Sequence, residues 1–176
     1  MNPEIIDRNE KIRNGIVPEG YKKTNIGIFP EEWDMKKVKN FGKVVTGNTP
    51  KTSDKENYGN HYLFVTPADL GASKYILNTD RKLSVKGFSI SRKYPTGSVL
   101  FTCIGSTIGK MGIAAIELTS NQQINAIICN PENNNEFLYY ELKRLSKKIR
   151  LLAGEQAVPI INKTQFETTK IISPPS

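Results

Sequence analysis

Apolar residues gather most densely between Val99 and Ile128, in three runs separated by polar tips. Val99, Leu100, Phe101, Cys103 and Ile104 form a run rich in β-branched and aromatic side chains that stops at Gly105. That pattern predicts a buried strand closed by a tight turn. Met111 to Leu118 resumes the pattern, and Ile124 to Ile128 is a third run. The tips between them read Gly105-Ser106-Thr107-Ile108-Gly109-Lys110 and Thr119-Ser120-Asn121-Gln122-Gln123. A rigid β platform carrying Ser, Thr, Lys, Asn and Gln suits recognition, because these side chains read donor and acceptor patterns. The same text also describes a solvated hairpin pair with no ligand.

One stretch has helical period. Leu138, Leu142, Leu145, Ile149 and Leu152 recur at spacings of four, three, four and three, which predicts a helix over residues 136–153. Asn134 or Asn135 can cap its start, Glu136 suits the positive end of the dipole, and Gly154 can close it in a left-handed turn. Lys143, Lys147 and Arg150 fall opposite the stripe, flanked by Arg144 and Lys148. Such a face is either solvated or in contact with phosphates.

Elsewhere the pattern is broken and turn-rich. Residues 1–20 are polar, interrupted by Gly15, Pro18 and Gly20, and predict a loose arm or a short capping helix. Trp33 starts a short helix or strand and packs its ring on the core, or alternatively stacks on a ligand. Residues 33–45 alternate loosely, and Thr46 to Ser53 is a loop by every local rule. Asn57 to Tyr62 interleaves aromatics with amides, and Leu63-Phe64-Val65 is a short strand stopped by Pro67. Residues 68–98 mix short strands with turns and carry Lys74, Arg81, Lys82, Lys86, Arg92 and Lys93. Beyond the helix, Gly154 to Pro159 is a loop, Ile160 to Lys163 restarts a strand, and Ile171-Ile172 closes the domain before Ser173-Pro174-Pro175-Ser176. The expected fold is α/β (α+β): a single domain over residues 21–176, with a strongly twisted, mostly antiparallel sheet and a few helices.

With 176 residues and 38% hydrophobic side chains the chain can bury a core, which excludes a disordered protein. The net charge of +8 favours an acidic partner: nucleic acid, an anionic membrane surface, or plain solubility as the remaining option. Both cysteines, Cys103 and Cys129, lie in apolar runs and read as buried free thiols of a reducing compartment; a disulfide between the strands is the alternative. The single histidine, His61, cannot build a zinc site. The charged N-terminus lacks an apolar core and no run reaches the length of a membrane span, so a cytosolic protein without a signal peptide is expected.

Enzyme signatures fail one by one. Gly105 to Lys110 is one residue short of a phosphate-binding loop, and Met111 stands where a magnesium-holding hydroxyl belongs. Ser173-Pro174-Pro175-Ser176 lacks the aromatic with which amino-methyltransferases stack a flipped base, and no glycine-rich cofactor loop follows a strand. No nucleophile–base pairing and no acid cluster for two-metal chemistry is evident. A binder without catalysis is expected.

Several stretches together resemble the target recognition domain of type I restriction–modification specificity subunits. They are Thr24-Asn25-Ile26-Gly27-Ile28-Phe29-Pro30-Glu31-Glu32-Trp33, Gly47-Asn48-Thr49-Pro50, and Val65-Thr66-Pro67-Ala68-Asp69-Leu70. Gly97 to Phe101 then leads to Gly105–Lys110, the Asn121-Gln122-Gln123 loop, Ile160-Ile161-Asn162-Lys163, and Ile172 to Pro175. Each is weak alone; the ordered set is specific and covers the chain from about residue 21. The resemblance implies one half of a subunit whose two recognition domains, spaced by long helices, each read half of a split target. It further implies double-stranded DNA, modification subunits and a restriction subunit as partners. Adenine methylation and cleavage would then defend against foreign DNA, with S-adenosylmethionine, ATP and magnesium held by those subunits and no cofactor by this chain. The motif set occurs once and the sequence stops where a spacer helix is expected, so the chain fits either an excised domain or a natural half-subunit.

Loop position and chemistry nominate Asn57, Tyr58, Asn60, His61, Gln122 and Gln123 to read bases, at about 1–3 kcal/mol per good bidentate contact. Lys51, Ser53, Ser106, Thr107, Lys110 and Lys163 are nominated for phosphates. Two rival readings stay open: a protein-interaction or regulatory module that docks on restriction–modification subunits, and a detached piece of a DNA methyltransferase.

Overall fold

Asn2 accepts a hydrogen bond from the Glu4 amide (2.9 Å) and Pro3 presets the first turn, which starts helix α1 (Pro3–Arg13). The helix buries no side chain. Local contacts hold it, among them the Asp7–Lys11 ion pair at 2.7 Å. Strands β1 (Tyr21–Thr24) and β2 (Gly27–Pro30) then form an antiparallel hairpin. Half-buried Trp33 stands immediately before β3 (Asp34–Lys37), so the element it leads into is a strand and not a helix.

The computed structural model describes residues 2–175; Ser176, the end of the Ser-Pro-Pro-Ser exit, lies outside them. The chain divides into two compact units: the N-terminal residues as far as Lys36 with the segment from Lys170 onward, and Lys37–Thr169.

The second unit carries β4 (Gly42–Thr46), β5 (Tyr58–Val65), β6 (Tyr75–Ile76), β7 (Lys82–Leu83), helix α2 (Val85–Ser89), β8 (Lys93–Tyr94) and β9 (Val99–Thr102). It continues with β10 (Met111–Ala114), β11 (Leu118–Ser120), β12 (Ile124–Cys129), α3 (Asn135–Leu151) and α4 (Lys163–Thr168). A final strand, β13 (Lys170–Ser173), pairs with β3.

The class is the expected one, mixed α/β with mostly antiparallel pairing, but the strands fall into separate sheets. One has five strands in the order β4-β12-β9-β10-β6 and another has four in the order β7-β5-β11-β8; β1-β2 and β3-β13 are two-stranded. The pairs β10-β6 and β11-β5 are parallel. In the five-stranded sheet Val99, Leu100 and Phe101 are fully buried, and α3 packs on β9 and β10 through Leu138, Leu142, Leu145 and Ile149. Asn134 caps α3 by accepting from the Phe137 amide (2.9 Å), and Gly154 takes φ +68° just past its end, both as the spacing predicts.

Four segments differ from expectation. Tyr58–Tyr62 belongs to β5 and not to a loop: Tyr58 and Tyr62 both oppose Leu83, and Gly59-Asn60-His61 swells out between them as a bulge. The run from Met111 to Leu118 splits, and Leu118-Thr119-Ser120 crosses into the four-stranded sheet as β11. Thr119 and Ser120 are buried because Thr119 donates to the Leu63 carbonyl (3.1 Å) and Ser120 shares a hydrogen bond with the Tyr94 hydroxyl (3.1 Å). Val85–Ser89 is helical, started by Ser84 accepting from the Gly87 amide. Lys163 opens a helix in place of a strand: Asn162 and Gln165 cap each other's backbone amides at 2.9 Å, and only Ile160 pairs, as an isolated bridge with Ile104.

Candidate functional site

The loop after β4 is held by its own backbone. Gly47 donates to the Ile124 carbonyl and Asn48 to that of Ser120 (3.0 and 3.1 Å). A Cβ on Gly47 would lie 2.1 Å from the Asn121 carbonyl oxygen, so only glycine allows this approach. Asn48 then accepts from the Arg92 amide (2.7 Å), and the Arg92 guanidinium donates to the Thr46 carbonyl (2.7 Å). Thr49 donates its hydroxyl to Gln122 Oε1 at 2.6 Å, joining this loop to the one between β11 and β12. From beneath, the Tyr58 hydroxyl donates to the Pro50 carbonyl (2.8 Å) and Asn57 Nδ2 to that of Lys51 (3.1 Å). Lys51 and Ser53 are therefore exposed on a backbone fixed at both ends.

The loop's far end is pinned by charge. Lys86 lies 3.0 Å from Asp54 and 2.6 Å from Glu56. Its hydrogen bond holds the Asp54 carboxyl below the usual carboxylate range, and Glu56 and Asp54 raise the Lys86 ammonium above its own. Arg81 stacks over the Tyr58 ring, 4.9 Å from its centroid.

The second loop connects the first to a third. Asn121 donates to Gln123 Oε1 (2.9 Å) and accepts from the Gln123 amide (3.1 Å), while the Gln123 carbonyl accepts from Cys103 (2.8 Å). Gln123 Nε2 sits against Gly105, 3.7 Å from where a Cβ would stand. Gly105 and Gly109 take φ +89° and +98°, which lets the turn close. Buried Ile108 anchors it, and Arg150 of α3 donates to the Ser106 carbonyl at 2.9 Å. Between this turn and α3 lies a cavity of about 480 Å³ whose charged lining is Lys110, Lys143, Lys147 and Arg150, with no carboxylate. Beneath the loops, Cys103 is a buried free thiol contacted by Asn125 Nδ2 (3.1 Å), and burial pushes its pKa up to about 12.

The nominated residues thus fall into distinct settings. Gln122 and Gln123 join Lys51 and Ser53 along one rim, and Ser106, Thr107 and Lys110 continue it at the third loop. Asn60 and His61 are exposed in the β5 bulge. Asn57 is 1% exposed, and with Tyr58 it props the first loop from below. Lys163 stands on α4, its ammonium 3.3 Å from Glu167. Thr49, Asn48 and Arg92 escape sequence reading, because their partners lie 42 to 73 residues away and no local pattern announces such contacts. Among the described residues no group of three or more His, Cys, Asp or Glu is placed to hold a metal ion, and no helix is long and apolar enough to cross a membrane.

A model of the type I restriction modification DNA specificity domain matches residues 30–176. The chain is 36% identical over 150 residues to the HindI specificity subunit of Haemophilus influenzae, which covers 82% of this chain and 32% of that protein. It is 34% identical over 161 residues to the MjaIX specificity subunit of Methanocaldococcus jannaschii, covering 88% and 37%. The chain spans about a third of the length of these curated relatives. The HsdS subunit of Thermoanaerobacter tengcongensis shares its fold with a TM-score of 0.65, over 97% of this chain and 40% of that one, at 18% identity. A structure bearing on complex assembly and conformational transition of the type I R-M system does so at 0.68 and 17% identity, over 98% and 41%.

Proposed function

Because the chain belongs to the type I restriction modification DNA specificity family, we propose that it reads one half of a bipartite double-stranded DNA target. The observation that carries this reading is the continuous rim: Thr49 bonded to Gln122, Gln123 against Gly105, and Ser106 held by Arg150. A loop already fixed before binding loses little entropy on meeting a duplex. Gln122, Gln123, Asn60 and His61 offer amide and imidazole groups to base edges, while Lys51, Ser53, Ser106, Thr107, Lys110 and Lys163 meet phosphates. Asn57 and Tyr58 serve base reading indirectly, by holding the Lys51 and Pro50 carbonyls.

In this proposal the chain does no chemistry and holds no cofactor. Modification subunits would methylate adenine with S-adenosylmethionine, and a restriction subunit would use ATP and magnesium, all in the cytoplasm.

Selection from a random duplex pool at low and moderate salt tests the reading. Enrichment of a short recurrent half-site supports it. Binding that fades with salt and enriches nothing, alone and with a modification subunit, refutes it, and a salt-insensitive protein complex without DNA binding would favour a docking module.

A further inference from the structure

We propose that the cavity between the Gly105–Lys110 turn and α3 is a cradle for consecutive backbone phosphates of one DNA strand, held independently of sequence. The proposal rests on the DNA-reading function above and extends its phosphate contacts from the Ser106–Lys110 turn to Lys143, Lys147 and Arg150 of α3. Lys110, Lys143, Lys147 and Arg150 converge on one concave surface without a carboxylate in its lining. Like charges gathered in a concavity repel one another and focus a field that a polyanion relieves.

Other basic side chains of the same unit are matched differently. Arg144, one position past Lys143, makes a two-pronged pair with Glu141 at 2.9 and 2.8 Å, and Lys86 pairs with both Asp54 and Glu56. Among the described residues, no ion pair uses the four cavity cations. The Lys143 ammonium lies over the Tyr139 ring (5.8 Å) and the Arg150 guanidinium donates one N–H to the Ser106 carbonyl, so both cationic heads are oriented without a carboxylate to neutralise them.

Spacing fits the ligand. Positions 143, 147 and 150 lie on one helical stripe about 10 Å long at a rise of about 1.5 Å per residue. That is the axial rise of about three nucleotides of one strand. Gly71 and Gly109 line the cavity at φ +95° and +98°, backbone conformations that favour glycine. The Gly105 turn also abuts Gln123, so a strand lying in the cavity continues onto the reading rim.

The test compares the salt dependence of duplex affinity for the wild-type chain, K143Q/K147Q, and the control K39Q/K43Q. The control removes the same charge from exposed positions at the opposite end of β4 from the Gly47 loop. Arg150 is left in place because it holds the turn, and thermal melting checks that each variant folds. K143Q/K147Q should weaken all duplexes alike, by on the order of tenfold at 0.1 M salt, and lower the slope of log affinity against log salt by about 2. The control should leave the slope unchanged. A slope unchanged in K143Q/K147Q, or changed equally in the control, overturns the cradle even when a half-site is still enriched. A lowered slope with no half-site enriched upholds the cradle and refutes half-site reading. A chain that binds no duplex overturns both.

Discussion

The two larger sheets of the second unit are built on different principles. The five-stranded sheet relies on apolar burial: β9, β10 and β12 are nearly all buried side chains, and α3 covers β9 and β10 with an apolar stripe. The four-stranded sheet is assembled from short strands far apart in sequence and carries polar residues inside it. Thr119 and Ser120 are fully buried there, satisfied by the Leu63 carbonyl and the Tyr94 hydroxyl. Two of the rim loops depart at Thr46–Gly47 and Ser120–Asn121, where these sheets are joined by backbone hydrogen bonds, and are fixed by hydrogen bonds more than by burial. Both sheets give apolar side chains to one shared core, Leu100, Ile124 and Ala126 from the first and Leu63, Val65 and Leu118 from the second. The second adds the satisfied hydroxyls of Thr119 and Ser120 where a rim loop departs.

The sharpest separation of the two comes from Phe101→Ala. Its ring packs on Phe166 with centroids 5.0 Å apart, so truncation should cost about 3–5 kcal/mol in denaturant unfolding. The half-site preferred by the folded fraction should not change. Gly47→Ala is expected to cost about 1–3 kcal/mol through overpacking against Asn121. Its larger effect should be lost discrimination between half-sites, read by competition binding. Preserved discrimination would mean that the loop's fixed position does not matter.

Smaller effects probe single hydrogen bonds. Thr49→Val removes the donor to Gln122 while keeping the shape, and should reduce discrimination about tenfold with little change in melting. Tyr94→Phe should cost about 1 kcal/mol of stability by leaving Ser120 without that partner, and should leave discrimination intact. The weakest effect is that of pH on the Asp54–Lys86 clamp. Because Asp54 is held below its ordinary value, its contribution is present above the carboxylate range and lost as pH falls through that range. Melting should decline slightly on acidification, and Asp54→Asn should flatten that decline.

What could be read from sequence follows the same division. The apolar runs at 99–104 and 124–128 and the Leu138–Ile149 stripe predict β9, β12 and α3 because burial imposes a period on them. The bulged start of β5 escapes such reading, since Gly59-Asn60-His61 has the composition of a loop. Helix α4 escapes it because six residues are too few to set a period, although Asn162 and Gln165 stand at capping-box spacing. At the candidate site, loop chemistry nominates Lys51, Gln122 and Lys110, which lie along the rim. The burial of Asn57 and the Thr49–Gln122 bond depend on contacts between distant segments. The family itself is legible earlier than the fold, because its ordered motifs lie mostly in the loops.

Hydrogen exchange of the free chain against the chain bound to its enriched duplex tests the central claim most directly. The account predicts slowed exchange at residues 47–53, 105–110 and 121–123, with α1 unchanged. Protection confined to α1, with those three loops exchanging as fast as before, would contradict it.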